Sequence, residues 1–193
     1  MIFSVLIPSV PSRHAQAIAL FDKITKQSEG YDVEVLMLCD NKKRSIGKKR
    51  EALVKISKGD YVAFVDDDDD VADCYISRIC DEINTPNRFK ADVIVFDTWV
   101  TVNDGPKVLC RHDATHQNEP YSVDGFRRAP WQMHVWRGNV ARYTPFPDMM
   151  YGEDWPWCEE MLKRVNVSTK INAALYHYRY SDAGTEALVE QSR

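Results

Sequence analysis

The sequence predicts an α/β fold with a mainly parallel central sheet flanked by helices. Three observations carry that expectation. Short continuous apolar runs at Phe3 to Ile7, Val33 to Cys39 and Tyr61 to Val65 have the length and composition of strands covered on both faces. Segments of helical period separate these runs, and the connections are short, so the strands are expected to run parallel through right-handed crossovers. The chain has 193 residues, 44% of them apolar and 28% charged. That is the size and balance of one globular domain, able to bury a core without a disulfide or metal staple.

In chain order, Phe3 to Ile7 is the first strand and Pro8 follows it. Ala17, Leu20, Phe21 and Ile24 recur at i, i+3, i+4 and i+7, a helix face closed by Gly30. Val33 to Cys39 is the second strand. Ser45 is placed to cap a helix carrying Ala52, Leu53 and Ile56, with Gly59 as its stop. Tyr61 to Val65 is the third strand, and five consecutive aspartates follow it. A helix over Asp73 to Asn84 precedes a long β-branched strand, Ala91 to Val102. Asn103-Asp104-Gly105 is a turn signal, so a hairpin with Lys107 to Cys110 is expected. The second half is less regular. It holds a polar stretch from Arg111 to Pro120, an aromatic-rich stretch from Trp131 to Trp157, a helix from about Trp155 to Val165 and a strand-like segment, Ala173 to Tyr178. Neither a repeat nor a linker interrupts it, so one domain over 1–193 is expected.

Composition excludes several classes. A net charge of -4 and a pI near 5.7 argue against a nucleic-acid-gripping domain, which is usually strongly basic. No apolar run approaches the length of about 20 residues that crosses a bilayer. The first residues lack a basic n-region and their apolar run stops at Pro8, so they read as a strand and not as a signal peptide. Five cysteines, odd in number and without a C-x-x-C pair, are expected to be reduced, mostly packed thiols of a cytoplasmic protein.

Parallel sheets bind ligands in the crevice at the carboxyl ends of their strands. The loops Pro8 to Arg13, Asp40 to Gly47 and Asp66 to Asp70 should therefore share one rim. Adjacent carboxylates repel unless a positive charge sits among them, and hard divalent cations such as Mg²⁺ or Mn²⁺ prefer such oxygen ligands. A solvated acidic turn beside a helix N-terminus is the plainer alternative. Lys42, Lys43, Arg44, Lys48, Lys49 and Arg50 fall within nine residues and lead into a helix N-terminus, where free N–H groups favour an anion. Acidic and basic loops on neighbouring strands suit a metal-bound diphosphate: carboxylates hold the cation, and Lys or Arg neutralises the phosphates. The G-x-x-x-x-G-K-[ST] phosphate loop is absent.

These residues resemble the family 2 glycosyltransferases, inverting enzymes of the GT-A fold with a DxD motif, over nearly the whole chain. Val5-Leu6-Ile7-Pro8-Ser9 looks like the family's first strand and nucleotide-contacting turn, which implies nucleotide contacts from Pro8, Ser9 and Arg13. Asp40 stands where the family places a carboxylate against the base. Gly47-Lys48-Lys49-Arg50 is similar to its G-x-x-R helix start, implicating Gly47, Lys48 and Arg50. Gly59 to Asp69 closely matches G-D-Y-x-x-F-L-D-x-D-D. By that register Asp68 is the metal ligand, with Asp66 and Asp67 toward ribose or donor sugar. The run of five aspartates leaves the register open by one residue. Residues 1–102 would then form the nucleotide-sugar half and 103–193 the acceptor half.

On the acceptor side, local pattern reads Asp154 as an N-cap with Pro156 in the first turn. The resemblance implies more, because Trp136-Arg137 followed by Glu153-Asp154 looks like the family's acceptor block. There Asp154 is the general base and Glu153 orients it or contacts the donor sugar. An acceptor hydroxyl is a poor nucleophile until a carboxylate within hydrogen-bond reach takes its proton. Trp131, His134, Trp136 and Trp155 are the acceptor-contact candidates, since aromatic faces stack on sugar rings. Leu175 to Tyr180 resembles the terminal block, with His177 completing the metal site and Arg179 reaching the diphosphate; Ser181 to Thr185 is a candidate lid. The implied function is metal-assisted, inverting transfer from a nucleotide-diphosphate sugar, of the UDP type, to a hydroxyl of a carbohydrate or glycan acceptor, with Mn²⁺ or Mg²⁺ as cofactor. Two alternatives stay open. A sugar-nucleotide nucleotidyltransferase would carry a Gly-rich loop after the first strand, and Pro8 to Arg13 has no glycine. A non-catalytic cation- or carbohydrate-binding domain needs only the acidic loop and exposed tryptophans.

Overall fold

The computed structural model describes residues 2–86 and 90–182. Strands are β1 (Phe3–Ser9), β2 (Val33–Cys39), β3 (Tyr61–Phe64), β4 (Asp70–Val71), β5 (Val93–Val102), β6 (Val108–His112), β7 (Phe126–Arg128), β8 (Val135–Arg137) and β9 (Ser168–Tyr180). Helices are α1 (His14–Gln27), α2 (Ile46–Ile56), α3 (Tyr75–Asn84), α4 (Gly138–Tyr143) and α5 (Asp154–Leu162). Among the described residues they form one open, nine-stranded sheet with helices on both faces. Its order is β2-β1-β3-β8-β5-β6-β7, with β9 parallel along β5 and β4 paired to β9.

The two-residue period of β1 builds both cores. Phe3, Val5 and Ile7 point to one face and pack with Leu20 and Ile24 of α1 and Ile76 and Ile79 of α3. Leu6 points to the other face, among Leu53 and Val54 of α2, Trp136, and Trp157 and Met161 of α5. Every residue of β1 is buried, as a continuous apolar run predicts. β1 is parallel to both β2 and β3, whereas β8 enters antiparallel between β3 and β5; most paired residues lie in parallel ladders. Ser9 stands opposite Cys39, and Leu6 opposite Phe64, so the ends of β1, β2 and β3 open onto one rim.

The hairpin after β5 forms as expected. Asn103 and Asp104 take φ of 48° and 58°, and the Gly105 N–H donates to the Val102 carbonyl at 2.9 Å. Two positive φ values match the twist of the flanking strands. Gly59 has a different role from the expected helix stop. α2 ends at Ile56, and Gly59 lies where its backbone crosses β1: a Cβ there would sit 2.5 Å from Ser4 Oγ, which accepts the Gly59 N–H at 2.8 Å. β9 is far longer than the predicted Ala173 to Tyr178 because β5 pairs along its whole length. All five cysteines are unpaired; Cys80, Cys110 and Cys158 are buried, Cys39 and Cys74 exposed. No helix of the described residues is long and apolar enough to cross a membrane. Of the candidate lid, residues 183–185 lie outside the described ones.

Candidate active site

The aspartate run leaves β3 with a two-residue alternation. Asp67 and Asp69 turn inward, with about 4–5% exposure, while Asp66, Asp68 and Asp70 keep 21%, 37% and 33% of their side chains open. Of the two registers the sequence left, the open side thus carries Asp66 and Asp68. The inward pair anchors the loop. Asp69 accepts from the Tyr176 hydroxyl at 2.6 Å and from the Arg179 N–H at 2.7 Å, and the same hydroxyl accepts the Asp66 N–H at 3.1 Å. Tyr176 therefore clamps the acidic loop to β9. One nitrogen of Arg13, Nη1, lies 2.7 Å from both Asp67 and Asp68. Burial, with Asp66 and Asp67 adding and Arg13 opposing, pushes the Asp68 carboxyl up to about 6. Asp70 is held by Lys23 at 2.8 Å and Arg179 at 2.9 Å.

The basic segment is arranged differently from its expectation. Ser45 does cap α2, accepting the Lys48 N–H at 3.1 Å, but the helix N-terminus is already covered. The Gly47 N–H donates to the Met149 carbonyl at 3.2 Å, and the Ser45 hydroxyl to Asp148 at 2.5 Å. A Cβ on Gly47 would lie 1.9 Å from the Pro147 carbonyl oxygen, so only glycine admits this loop. Gly47 is thus a packing position, with its N–H already engaged. The Lys48 ammonium faces outward to Glu51 at 2.9 Å. Lys49, which the sequence reading did not single out, is the buried one. It donates to the Ser9 carbonyl at 2.5 Å and pairs with Asp40 at 3.0 Å. Helical period was the available signal, since Lys49 and Arg50 precede Leu53 and Val54 by one turn on the buried face. Asp40 itself stands beyond β2 beside Ser9, where it was expected.

Arg50 is 4% exposed and lies over the Phe64 ring at 5.0 Å. Its Nε donates to Glu153 at 2.7 Å and its Nη2 lies 2.9 Å from Asp66. The guanidinium, implied by the resemblance to face the diphosphate, meets two carboxylates here. Although burial opposes it, Asp66 and Glu153 hold the guanidinium charged. Gln132, also missed, donates to Asp66 at 3.3 Å.

Glu153 precedes α5, and Asp154 opens it as a first-turn residue and not as its N-cap; its Oδ1 accepts the Trp155 N–H at 2.9 Å. Burial pushes the Asp154 carboxyl up, Arg50 opposes, and Glu153 and Asp66 push it further. The acceptor-side pair and the acidic loop therefore share one electrostatic cluster. Of the aromatic candidates, Trp155 is 40% exposed beside Asp154, with Met149, Met150 and Tyr151 also exposed next to it. Trp131 is half-buried between Arg128 and Tyr178. Two candidates are wholly buried. Trp136 is wholly enclosed, donating to the Trp131 carbonyl at 2.9 Å and packing on Trp157. His134 is equally enclosed, its Nδ1 accepting the Trp131 N–H at 2.8 Å and its Nε2 donating to the Phe96 carbonyl at 3.0 Å. Burial pushes it down to about 4, so it is neutral.

Two further candidates are engaged elsewhere. The His177 Nε2 lies 2.8 Å from the Thr101 hydroxyl, on the opposite side of β9 from Tyr176, and the Arg179 guanidinium is on Asp70. Among the described residues no three His, Cys, Asp or Glu side chains converge as metal ligands. Asp66 and Asp68 remain as the open carboxylates, a set that suits Mg²⁺ or Mn²⁺ because such ions take one or two carboxylates and fill their shell with water and substrate phosphate. Both oxygens of Asp66 lie within ion-pair reach of the Arg50 Nη2, at 2.9 and 3.1 Å, so a cation there would share the carboxylate with that guanidinium. A cavity of about 510 Å³ among Ile2, Asp60, Tyr61 and Lys90 opens at the opposite ends of the strands and takes no part in this site.

No family model matches the chain, and no curated protein is similar to it in sequence. Its fold is similar to solved structures of S. aureus TarS. TarS 1–349 in complex with UDP-GlcNAc superposes with a TM-score of 0.63 at 15% identity, covering 93% of this chain and 58% of that one. A structure of TarS gives 0.65 at 16% identity over 94% and 37%, and TarS 1–349 with UDP gives 0.62 at 15% over 94% and 61%. The chain thus spans less than two thirds of each of these TarS chains. At such identity the likeness is one of fold: a mixed α/β protein with a mainly parallel open sheet flanked by helices.

Proposed function

We propose that this chain is a nucleotide-sugar-dependent glycosyltransferase of one domain, with inverting, metal-assisted chemistry. The observation that carries this reading is the cluster on the carboxyl rim, where Asp66, through Arg50 and Glu153, is joined to Asp154. The likeness in fold to TarS structures holding UDP-GlcNAc and UDP supports it. Ser9 and Asp40, fixed by Lys49, would receive the nucleotide. Asp66 and Asp68 would hold the divalent cation, which when bound neutralises charge growing on the leaving diphosphate. Asp154 takes the proton of the acceptor hydroxyl as its oxygen bonds to the anomeric carbon. The bond from that carbon to the diphosphate oxygen breaks on the opposite face, so nucleoside diphosphate leaves and configuration inverts. The raised Asp154 carboxyl makes a stronger base than a free one. The exposed rings of Trp155, the next residue, and Tyr151, three residues before Asp154, would offer faces to an acceptor sugar.

The test is UDP titration with and without Mn²⁺, followed by UDP release from UDP-sugars supplied with glycan acceptors. Asp154→Asn should reduce transfer by about 100-fold or more, the size of a general-base contribution, while UDP affinity stays within about twofold. Unchanged turnover in that variant removes Asp154 from the mechanism, and pyrophosphate release moves the chain to nucleotidyl transfer.

A further inference from the structure

We infer that Arg50 is a positioning residue that ties the base-bearing end of α5 to the acidic loop, and not a diphosphate ligand. The inference rests on the reading above, because it assigns Asp154 as the base being positioned. Its geometry stands independently. Asp66 and Glu153 lie 16 and 103 residues from Arg50, and one guanidinium meets both in a single fork. The fork cannot swing toward the rim. Phe64 lies beneath the guanidinium, and the side chain is 5% exposed with Nη1 buried and unbonded among the described residues. Glu153 is nearly as buried, and its Cβ lies 3.3 Å from where a Cβ on Gly47 would stand, so it is packed against the start of α2. Removing the guanidinium would leave a buried carboxylate uncompensated, and such a group moves toward water or takes a proton. Either response displaces Asp154, the next residue. Lysine would not substitute, because a point charge cannot hold two carboxylates in a fixed fork.

The experiment compares wild type, Arg50→Lys, Arg50→Met and the paired Arg50→Met/Glu153→Met. The pair removes both charges together and keeps a folded protein in hand should Arg50→Met alone unfold. Hydrogen exchange should show faster exchange in Arg50→Lys and Arg50→Met over residues 149–160, with β1, β2 and β3 unchanged. UDP affinity in Mn²⁺ should stay within about threefold in every folded variant, while turnover falls about 100-fold, the cost of misplacing a reacting group by about 1 Å. Lysine should not rescue it. A tenfold or greater loss of UDP affinity with unaltered exchange over 149–160 would overturn the inference and return Arg50 to the diphosphate. Unaltered exchange with full turnover would overturn it too. If wild type binds no UDP, the glycosyltransferase reading fails, and the exchange measurement still decides the role of Arg50.

Discussion

Replacing His134 by glutamine should flatten one part of the acid stability profile. His134 is wholly enclosed, and burial lowers its folded-state pKa from 6.5 to about 4. The unfolded chain therefore binds a proton at a pH where the folded chain refuses it. Stability from this group is complete above about pH 6.5 and drains away as the pH falls to 4. A gap of roughly 2.5 pKa units at 1.36 kcal/mol each gives about 3 kcal/mol. His112, packed against His134 at 4.5 Å and buried, is pushed down as well and adds to the same loss. The carboxyls of buried Asp67 and of partly buried Asp68 and Asp154 are pushed up by desolvation, so they act in the opposite direction as the pH falls. A raw profile mixes these signs, and the difference between wild type and His134→Gln separates them. Glutamine keeps a donor for the Phe96 carbonyl but does not titrate. Urea unfolding followed by tryptophan fluorescence at pH 7, 5.5 and 4.5 should show the stability advantage of wild type shrinking by about 3 kcal/mol toward pH 4. A constant difference across that range would refute the assignment of His134 as a buried, neutral imidazole.

The two neighbouring lysines of α2 should behave oppositely. Lys48→Ala removes an exposed pair with Glu51 and should leave the urea midpoint nearly unchanged, whereas Lys49→Ala removes the buried ammonium between Asp40 and the Ser9 carbonyl, leaving Asp40 with the half-exposed Arg44, and should cost about 1–3 kcal/mol and weaken UDP binding in a calorimetric titration. Gly47→Ala should displace the Pro147–Met149 loop, seen as faster hydrogen exchange there, because a methyl 1.9 Å from the Pro147 oxygen cannot be accommodated; unchanged exchange would mean the loop does not cover the helix end.

What was legible in the sequence was what is local. The β1 run, the Ser45 cap and the Asn103-Asp104-Gly105 turn are fixed by residues within a few positions, and each formed as expected. β8 and α4, at 3 and 6 residues, are too short to show a period, and β9 draws its length from β5. The site divides along the same line. The positions of Asp40, Asp66 and Asp68 on the rim follow from strand ends, which periodicity locates. Which cation meets which carboxylate is set by tertiary approach, so the pairing of Arg50 with Glu153 and of Arg179 with Asp70 could not be read from the sequence. The occupied N-terminus of α2 was invisible for the same reason, since Met149 lies about a hundred residues away in the chain.

The pairings within the aspartate run bear on the metal. Asp69 has a hydroxyl and an N–H, Asp70 has Lys23 and Arg179, and Asp66 has Arg50. Asp67 and Asp68 divide one nitrogen of Arg13, and Asp67 is the more buried of the two. Asp68 is the most open carboxylate of the run, and burial, with Asp66 and Asp67 adding, pushes its carboxyl up to about 6. Of the outward acids, Asp66 faces Arg50 and Asp70 faces Lys23 and Arg179, while Asp68 shares Arg13 with Asp67, so under the proposed function Asp68 is where a divalent cation would be held. On that argument Mn²⁺ should protect this loop from hydrogen exchange in wild type and fail to do so in Asp68→Ala; equal protection in both would place the ion elsewhere.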